Sequence, residues 1–422
     1  MPTFESTTLS SGLRVVAEID GRGYSAAFGY FVRAGSRDES DAESGLSHFL
    51  EHMMFKGTER RSAADVNREL DELGGQSNAY TTEEHTVYYA TVLPKYQDRL
   101  IDLLSDMLSP ALRESDFETE RQVILEEIAK YEDQPPFGAF ERSLECYFGP
   151  RGLGRRVLGT AQSISEMPVQ TMRDYFLRRY RPENMVLAAS GNVDWDRLIA
   201  KAESLTQTWS QRPNVTPALS DHEKELPPGV SLERSVTTPD ATQAYRVSVA
   251  NGPAMLDTDR FAMRVLTTIL GDDGGSRLFW DLIDTGRAEI ATVWPQEFTD
   301  AGAIMTYLVC GPEDLRANTD WMNQVIARVA TEGIQQEELD QTLNKITASC
   351  IMQSERPSGR LFSLGTYFLT ANDIMDTDQV IAAYRAITRD DVARVARQYL
   401  SDPAGHLDVL ATGDGRLNPA AA

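Results

Sequence analysis

The chain has 422 residues and a formal net charge of −23 at pH 7. This length exceeds what one hydrophobic core usually supports, so two domains of about 200 residues each are expected. The strong negative charge argues against nucleic-acid binding and favours cationic partners, including basic peptides.

The cysteines and the hydropathy pattern indicate the environment of the protein. Cys146, Cys310 and Cys350 are widely spaced, which predicts neither a disulfide framework nor a cysteine zinc site. The N-terminus lacks the basic and apolar regions of a signal peptide, and no apolar run approaches the roughly 18 residues of a membrane span. We therefore expect a bacterial cytoplasmic protein, or a periplasmic one if a signal peptide has been removed.

Two strands and a helix with metal-ligating side chains are predicted near the N-terminus. Residues 13–18 and 26–32 are predicted to pair as a hairpin. The helix that follows contains His48 and His52, whose imidazoles lie one turn apart on one face, with Glu51 beside them. This H-x-x-E-H order is the inverzincin pattern, in which two neutral imidazoles hold zinc and a carboxylate that is not a ligand accepts a proton from water.

The pattern from His48 to His52 is short, and patterns of this length also occur by chance. The alternative is a helix that carries two core or surface histidines. Two of the chain's five histidines fall here, however, and the neighbouring side chains are too apolar for a solvated face. Buried histidines need partners, so a metal site is favoured.

A second helix is predicted further along the first half. Helix 64–73, strand 86–92 and helix 96–108 precede it, and it begins after Ser115, a predicted N-cap. Its apolar residues recur at helical spacing and predict one inward stripe. The predicted stripe consists of Val123, Ile124, Ile128 and Tyr131.

The third metal ligand is predicted on this stripe. Glu120 and Glu127 lie two helical turns apart on it, whereas Glu126 falls on the polar face. Carboxylates on an apolar stripe are costly unless they meet a cation or a metal. Because a catalytic zinc usually has three protein ligands, we predict Glu127 as the third ligand and Glu120 as a carboxylate that orients a histidine. The alternative is that both glutamates are exposed; His85 is a weaker candidate ligand, since it starts a strand.

The two halves of the chain have a similar order of predicted elements. A buried strand at 185–194 closes the first half. The Pro-rich, charged segment 210–229 is expected to link an N-terminal zinc-binding catalytic domain, 1–209, to a homologous domain without metal, 230–422. The second half is predicted to contain strand 244–249, helix 260–270, strand 304–309, helix 337–352 and strand 406–414.

The pattern from His48 to His52, followed after 74 residues by Glu127, resembles that of the pitrilysin and mitochondrial processing peptidase family of zinc peptidases. Segments 74–81 and 120–127 also resemble this family, and the resemblance covers essentially the whole chain. It implies an α+β fold of two homologous α/β-sandwich halves, each an antiparallel-rich sheet packed with helices, which form a clamshell around a chamber. It also implies a metalloendopeptidase that cleaves peptides or unfolded segments held in that chamber.

The resemblance also implies a role for each candidate residue. His48, His52 and Glu127 would hold Zn(2+), with water as the fourth ligand. Glu51 would accept the proton of that water and pass it to the leaving amine. The helix predicted at 260–270 contains no histidine, so one zinc ion per chain is expected.

The segment Asn78-Ala79 is interpreted differently with and without the resemblance. From the sequence alone, Asn78 is more readily a turn residue that follows Gly74-Gly75. The resemblance instead implies that Asn78 and Ala79 lie at a strand edge and hold an extended peptide substrate by adding it to the sheet.

The second half lacks two residues that the family usually carries. An Arg and a Tyr, seven residues apart, are expected after the segment matching Ser276–Phe279, where they steady the substrate carbonyl, but Ile283 and Ile290 stand there. The favoured interpretation is that a homologous subunit without zinc supplies them, which makes this chain the catalytic, beta-type subunit of a heterodimer. A self-sufficient homodimer is the alternative. A non-catalytic scaffold subunit is a third hypothesis, although the intact metal ligands count against it.

Overall fold

The strands of the first sheet are rich in β-branched, aromatic and small residues, a composition that suits a pleated, buried surface. The computed structural model describes residues 2–132, 135–211, 232–237, 243–400 and 407–412. The strands of this sheet are β1 (Thr3–Thr8), β2 (Arg14–Ile19), β3 (Ala26–Val32), β4 (Gln76–Thr81), β5 (Thr86–Val92) and β6 (Met185–Gly191). They lie in the order β1-β2-β6-β3-β5-β4, with β2 and β6 parallel and the other neighbours antiparallel.

The predicted hairpin of residues 13–18 and 26–32 is wrong, although both strands exist. β6 lies between them, pairing in parallel with β2 and antiparallel with β3. Every residue of β6 is buried, and a strand of this kind is stable in the centre of a sheet, where both of its edges are paired. β2 instead forms its hairpin with β1.

The second sheet repeats this arrangement. Its strands are β7 (Leu232–Thr237), β8 (Ala244–Asn251), β9 (Ile290–Glu297), β10 (Gly302–Cys310) and β11 (Leu407–Thr412). Their order is β7-β11-β8-β10-β9, and β7 and β11 are the parallel pair. This order matches β2-β6-β3-β5-β4 strand for strand, so the prediction of two homologous α+β halves with antiparallel-rich sheets is confirmed.

Helices pack on both sheets. In chain order they are α1 (Leu46–Met53), α2 (Ala63–Glu72), α3 (Gln97–Met107), α4 (Glu114–Glu132), α5 (Pro135–Phe148), α6 (Ala161–Glu166), α7 (Val169–Arg179), α8 (Trp195–Thr206), α9 (Asp259–Gly271), α10 (Leu315–Glu332), α11 (Gln336–Ser354), α12 (Pro357–Ala371), α13 (Thr377–Arg385) and α14 (Arg389–Leu400). Side chains of α1, α3, α4 and α7 build the main core of the first sheet, and those of α9, α10 and α14 build that of the second. Across the described parts of the chain, no helix has both the length and the apolar character that crossing a bilayer requires.

Each sheet is also covered by one helix from the other half of the sequence. α12 packs on β2, β3 and β6, where Leu361, Leu364 and Phe368 form an apolar cluster with Val16 and Phe31. α5 packs in the same way on β8 and β11. Each of these two helices therefore packs on a sheet whose strands all come from the other half of the sequence.

This exchange of helices determines which residues form the two compact units. Lys130–Pro150 belongs with the second unit and Ile351–Asp376 with the first. Each unit therefore contains residues from both of the predicted domains, 1–209 and 230–422. The reason is that α5 and α12 belong to the units whose sheets they cover. Residues 212–229 of the predicted linker lie outside the described residues.

Replacing Leu364 by alanine is expected to lower the free energy of unfolding of the first unit by about 2–5 kcal/mol. Leu364 is 2% exposed, and truncation of a buried leucine removes apolar contacts and leaves a cavity. Urea unfolding measures the change. The matched control is Ser363→Ala on the exposed side of α12, which should alter the free energy of unfolding by less than about 0.5 kcal/mol. A Leu364→Ala protein as stable as the control would contradict the packing of α12 on this sheet.

Candidate metal centre

The apolar face of α1 holds this helix against α4. Phe49 and Met53 are buried, and the Phe49 ring stacks on Phe117 of α4 with 4.5 Å between ring centroids. The adjacent face of α1 carries His48 and His52, whose ring centroids are 4.7 Å apart. Stacking between the two phenylalanines therefore places both imidazoles next to α4.

The buried face of α4 differs in detail from the prediction. The helix begins at Glu114, so Ser115 lies inside it and is not its N-cap. Ile124 and Ile128 are buried as expected, but Val123 is 44% exposed, and its assignment to the inward stripe is wrong. Successive helical residues are rotated by about 100°, so a stripe that contains Ile124 and Ile128 leaves Val123 outside it.

Glu120 and Glu127 lie on the side of α4 that faces the histidines. The Oε2 atom of Glu127 is 3.9 Å from Nε2 of His48 and 3.7 Å from Nε2 of His52. One ligand atom from each of these three residues lies within 4.8 Å of the others. Among the residues that the structure describes, these three are the one set of His, Cys, Asp or Glu side chains close enough together to hold a metal ion.

The spacing and the chemistry of this group fit a zinc ion. Zinc bonds to nitrogen and oxygen are about 2.0–2.2 Å long, so ligand atoms around a tetrahedral zinc are roughly 3.4 Å apart. The separations of Glu127 Oε2 from the two imidazole nitrogens exceed this by only a few tenths of an ångström. Two imidazoles and one carboxylate also leave a fourth position open, as catalytic zinc requires.

Glu120 connects the metal group to a lysine. Its Oε1 atom accepts a hydrogen bond from Nδ1 of His52 at 2.8 Å, and its Oε2 atom is 2.5 Å from Nζ of Lys56. With its proton on Nδ1, His52 has a free lone pair on Nε2, the atom that lies near Glu127. The prediction left open which histidine Glu120 supports, and the structure places it at His52. Lys56 was not predicted, although its position four residues after His52 was a usable signal.

The ionisation of these groups follows from their surroundings. Burial, together with the nearby His52, lowers the pKa of His48 to about 3, so His48 is neutral at neutral pH. Burial alone would lower the pKa of His52, but the hydrogen bond to Glu120 and the adjacent carboxylates raise it. Burial would raise the pKa of Glu120, yet its contacts with His52 and Lys56 lower it and keep the carboxylate ionised.

Glu51 faces β4 rather than α4. Its Oε2 atom accepts a hydrogen bond of 2.6 Å from Oγ1 of Thr81, the last residue of β4. Burial raises the pKa of Glu51, and the hydrogen bond from Thr81 partly opposes this. A carboxyl group with a raised pKa suits proton transfer near neutral pH. Local sequence patterns carry no signal for Thr81, because the contact joins two separate elements.

β4 is the outermost strand on its side of the sheet. Asn78 is exposed, Ala79 is buried, and Asn78 Oδ1 accepts a hydrogen bond from the backbone N–H of Ala79 at 2.9 Å. Side chains alternate between the faces of a strand, so Asn78 and Tyr80 point away from the face where Thr81 meets Glu51. The side chain of Asn78 therefore lies on the opposite face of β4 from the Thr81–Glu51 hydrogen bond.

His85 lies outside the metal group. It closes the turn between β4 and β5, where its carbonyl oxygen accepts a hydrogen bond from the backbone N–H of Thr82. Burial lowers the pKa of His85 to about 4, and its ring lies 5.9 Å from that of Tyr80. A neutral, half-buried histidine packed against an aromatic ring is consistent with a structural role.

The stretch in the second unit that lacks the Arg and Tyr pair is ordered by other contacts. Ile283 ends a short helical turn, and Ile290 is the first residue of β9. The two arginines nearby are engaged within the unit. Arg277 forms a two-pronged ion pair with Glu338, at 2.8 and 2.9 Å, and the guanidinium of Arg287 lies 4.7 Å from the centroid of the Trp321 ring.

Comparison with known proteins identifies the family. Residues 14–161 match the family model described as insulinase (peptidase family M16), and residues 167–346 match the model described as the peptidase M16 inactive domain. An uncharacterized zinc protease of Mycobacterium tuberculosis is 35% identical over 399 residues, which cover 94% of this chain and 90% of that protein. The chain therefore belongs to the M16 family of peptidases, and the predicted resemblance to pitrilysin and mitochondrial processing peptidases is confirmed.

Two further relatives are informative. The probable beta subunit of the mitochondrial-processing peptidase of Arabidopsis thaliana is 29% identical over 411 residues, which cover 95% of this chain and 77% of that protein. Structural alignment with the crystal structure of a protease from Helicobacter pylori gives a TM-score of 0.90 at 22% sequence identity. The alignment covers 97% of this chain and 99% of the other chain. The second comparison supports the fold alone.

Replacing Lys56 by methionine is expected to weaken zinc binding by about tenfold, because Glu120 would lose its ion pair and would support His52 less well. Competition with a chromophoric chelator measures the affinity. Lys56→Arg retains a cation and should keep the affinity within about threefold of the unmodified chain. Equal affinities for the methionine and arginine variants would show that Lys56 does not contribute through its charge.

Proposed function

We propose that this chain is a zinc-dependent endopeptidase that binds one zinc ion through His48, His52 and Glu127 and uses Glu51 as its general base. The observation that carries the proposal is the convergence of three ligand atoms within 4.8 Å, with Glu51 on the same short helix as both histidines. The name of the mycobacterial relative, a zinc protease, supports the choice of metal and reaction class.

The chain's own residues account for the proton transfers of peptide hydrolysis. A zinc ion held by His48, His52 and Glu127 would supply a Lewis acid that polarises the scissile carbonyl and acidifies water. Glu51 accepts the proton of the attacking water, and the hydrogen bond from Thr81 orients its carboxylate for this step. Glu51 then donates the proton to the leaving amine, for which its raised pKa is well suited. Glu120 keeps the proton of His52 on Nδ1, so that Nε2 remains a donor atom for the metal.

The open edge of β4 offers a place for the substrate backbone. An extended peptide that adds to this edge would run beside Asn78 and Ala79 towards Thr81 and Glu51. The hydrogen bond from Ala79 N–H to Asn78 Oδ1 would have to open if that N–H binds the peptide. The acidic character of the chain favours peptides that carry basic side chains.

Replacing Glu51 by glutamine should lower kcat for peptide cleavage by at least about 10²-fold while the chain still binds one zinc ion. The amide keeps the shape of the side chain but cannot accept the proton. Cleavage of a fluorogenic peptide and zinc content by atomic absorption measure the two properties. Retained activity in Glu51→Gln would contradict its role as the base.

Glu127→Gln and Glu126→Gln form a matched pair on α4. Glu127→Gln should lose most bound zinc, because an amide oxygen is a weaker ligand than a carboxylate. Glu126→Gln changes an exposed neighbour and should retain zinc and activity. Equal zinc contents in the two variants would overturn the assignment of Glu127, and a metal-replete preparation of the unmodified chain without zinc would overturn the proposed function.

We further infer that a homologous subunit completes the active site. Ile283 and Ile290 cannot donate hydrogen bonds to a substrate carbonyl from their side chains, and Arg277 is already paired with Glu338. The Arabidopsis relative is itself named as the beta subunit of a processing peptidase, which supports a place in a two-subunit enzyme.

Mixing experiments test this inference. The chain is co-expressed and co-purified with the product of a neighbouring gene that encodes a homologue with the Arg and Tyr pair but without the zinc motif. We expect low peptide cleavage from each chain alone and an increase of about 10²–10³-fold from the mixture, the usual contribution of such donors. Full activity of this chain alone would instead support a self-sufficient homodimer. Zinc binding without cleavage in either state would support a non-catalytic subunit.

A further inference from the structure

The residue at the N-cap position of α1 provides no side-chain cap for the helix. Gly45 occupies the N-cap position with φ of +88°, and it has no side chain to accept hydrogen bonds from the first turn. A Cβ atom there would lie 2.6 Å from the carbonyl oxygen of Leu158, so a larger capping residue does not fit. The first N–H groups of a helix need acceptors, and in α1 these must come from elsewhere in the chain.

Glu39 supplies those acceptors. Its Oε2 atom accepts a hydrogen bond from the backbone N–H of Gly45 at 2.8 Å, and its Oε1 atom accepts one from the backbone N–H of Ser47 at 2.7 Å. Glu39 is 6% exposed, and burial raises its pKa to about 8 despite these hydrogen bonds. Burial of a carboxyl group costs free energy unless the group is hydrogen-bonded. The two hydrogen bonds from the backbone of α1 partly offset that cost for Glu39.

The segment that carries Glu39 is itself attached to the turn after β4. The backbone N–H groups of Ser36 and Arg37 donate to the carbonyl oxygens of Thr82 and Glu83, at 3.3 and 2.8 Å. Gly35 permits this approach, because a Cβ atom there would lie 2.4 Å from the Glu83 carbonyl oxygen. The turn begins directly after the threonine that binds Glu51. Residues 35–39 therefore join the start of the metal-binding helix to the strand that orients the general base.

We propose that Glu39 is a positioning residue of the metal centre, which holds the first turn of α1 so that His48 and His52 reach one ion together with Glu127. His48 follows Ser47 directly, so a shift of the Ser47 amide moves the first ligand with it. This inference rests on the proposed zinc site. Glu39 acts through the backbone of α1 and does not touch the metal or the substrate.

The experiment compares four full-length proteins: the unmodified chain, Glu39→Gln, Glu39→Asp and Glu43→Gln. Glutamine places an NH2 group against one of the two N–H donors, whereas aspartate keeps the carboxyl group but is too short to reach both donors. Glu43 is the matched control, because it is equally buried, at 6%, and accepts hydrogen bonds from Ser40 and Arg178 but not from α1. The measurements are zinc affinity by chelator competition, the visible absorption of the cobalt(II) form, and Tm.

We expect both Glu39 variants to bind zinc about 10–100-fold more weakly and to show an altered cobalt(II) band, because the ligands are no longer aligned. Glu43→Gln should lower Tm by a similar amount while its zinc affinity and cobalt(II) spectrum match those of the unmodified chain. Glu39 variants that lose Tm but keep the zinc affinity and the spectrum would overturn the inference alone. An unmodified chain that binds neither metal would overturn the proposed function and is recognised before any variant is compared.

Discussion

The packing of α1 against α4 is the constraint on which the candidate metal centre depends. Two of the candidate ligands project from one helix and the third from the other, so no local segment can form the site. The stacked rings of Phe49 and Phe117 set the distance between the helices, and Glu127 then lies 3.7–3.9 Å from the two imidazole nitrogens. Close-packed cores transmit small volume changes, so a substitution at either ring would displace the ligands without removing any of them.

The charges around this contact favour a divalent cation. Glu51, Glu120 and Glu127 bring three carboxyl groups to one site, and Lys56 brings one ammonium group. His48 adds little positive charge at neutral pH, because burial, together with the nearby His52, strongly lowers its pKa. A dication balances the excess of negative charge that remains. Two of the three carboxyl groups have hydrogen bonds to different partners, Glu51 to Thr81 and Glu120 to His52.

The histidine motif and local periodicity were sufficient to predict most elements and the convergence of His48, His52 and Glu127. Helical phase separated Glu127 from Glu126, and the limits of strands such as β5 and β10 agree with the sequence pattern within about two residues. Two errors are local, the N-cap at Ser115 and the inward position of Val123. The features that periodicity missed are contacts between distant segments: the insertion of β6 between β2 and β3, the packing of α5 and α12 on the sheets of the other half of the sequence, and the cap that Glu39 gives to α1. Such contacts depend on which buried faces meet in three dimensions, and a pattern read along one segment does not contain that information.

The position of α12 has a consequence for synthesis on the ribosome. The central strand β6 ends at Gly191, whereas α12, which covers one face of the same sheet, ends at Ala371. At about 5–20 residues per second, the ribosome needs roughly 10–35 s to make the intervening residues. During that time the nascent chain displays an uncovered apolar surface that includes Val16, Phe31 and Val186. The first unit is therefore completed only after most of the second half of the sequence has been synthesised.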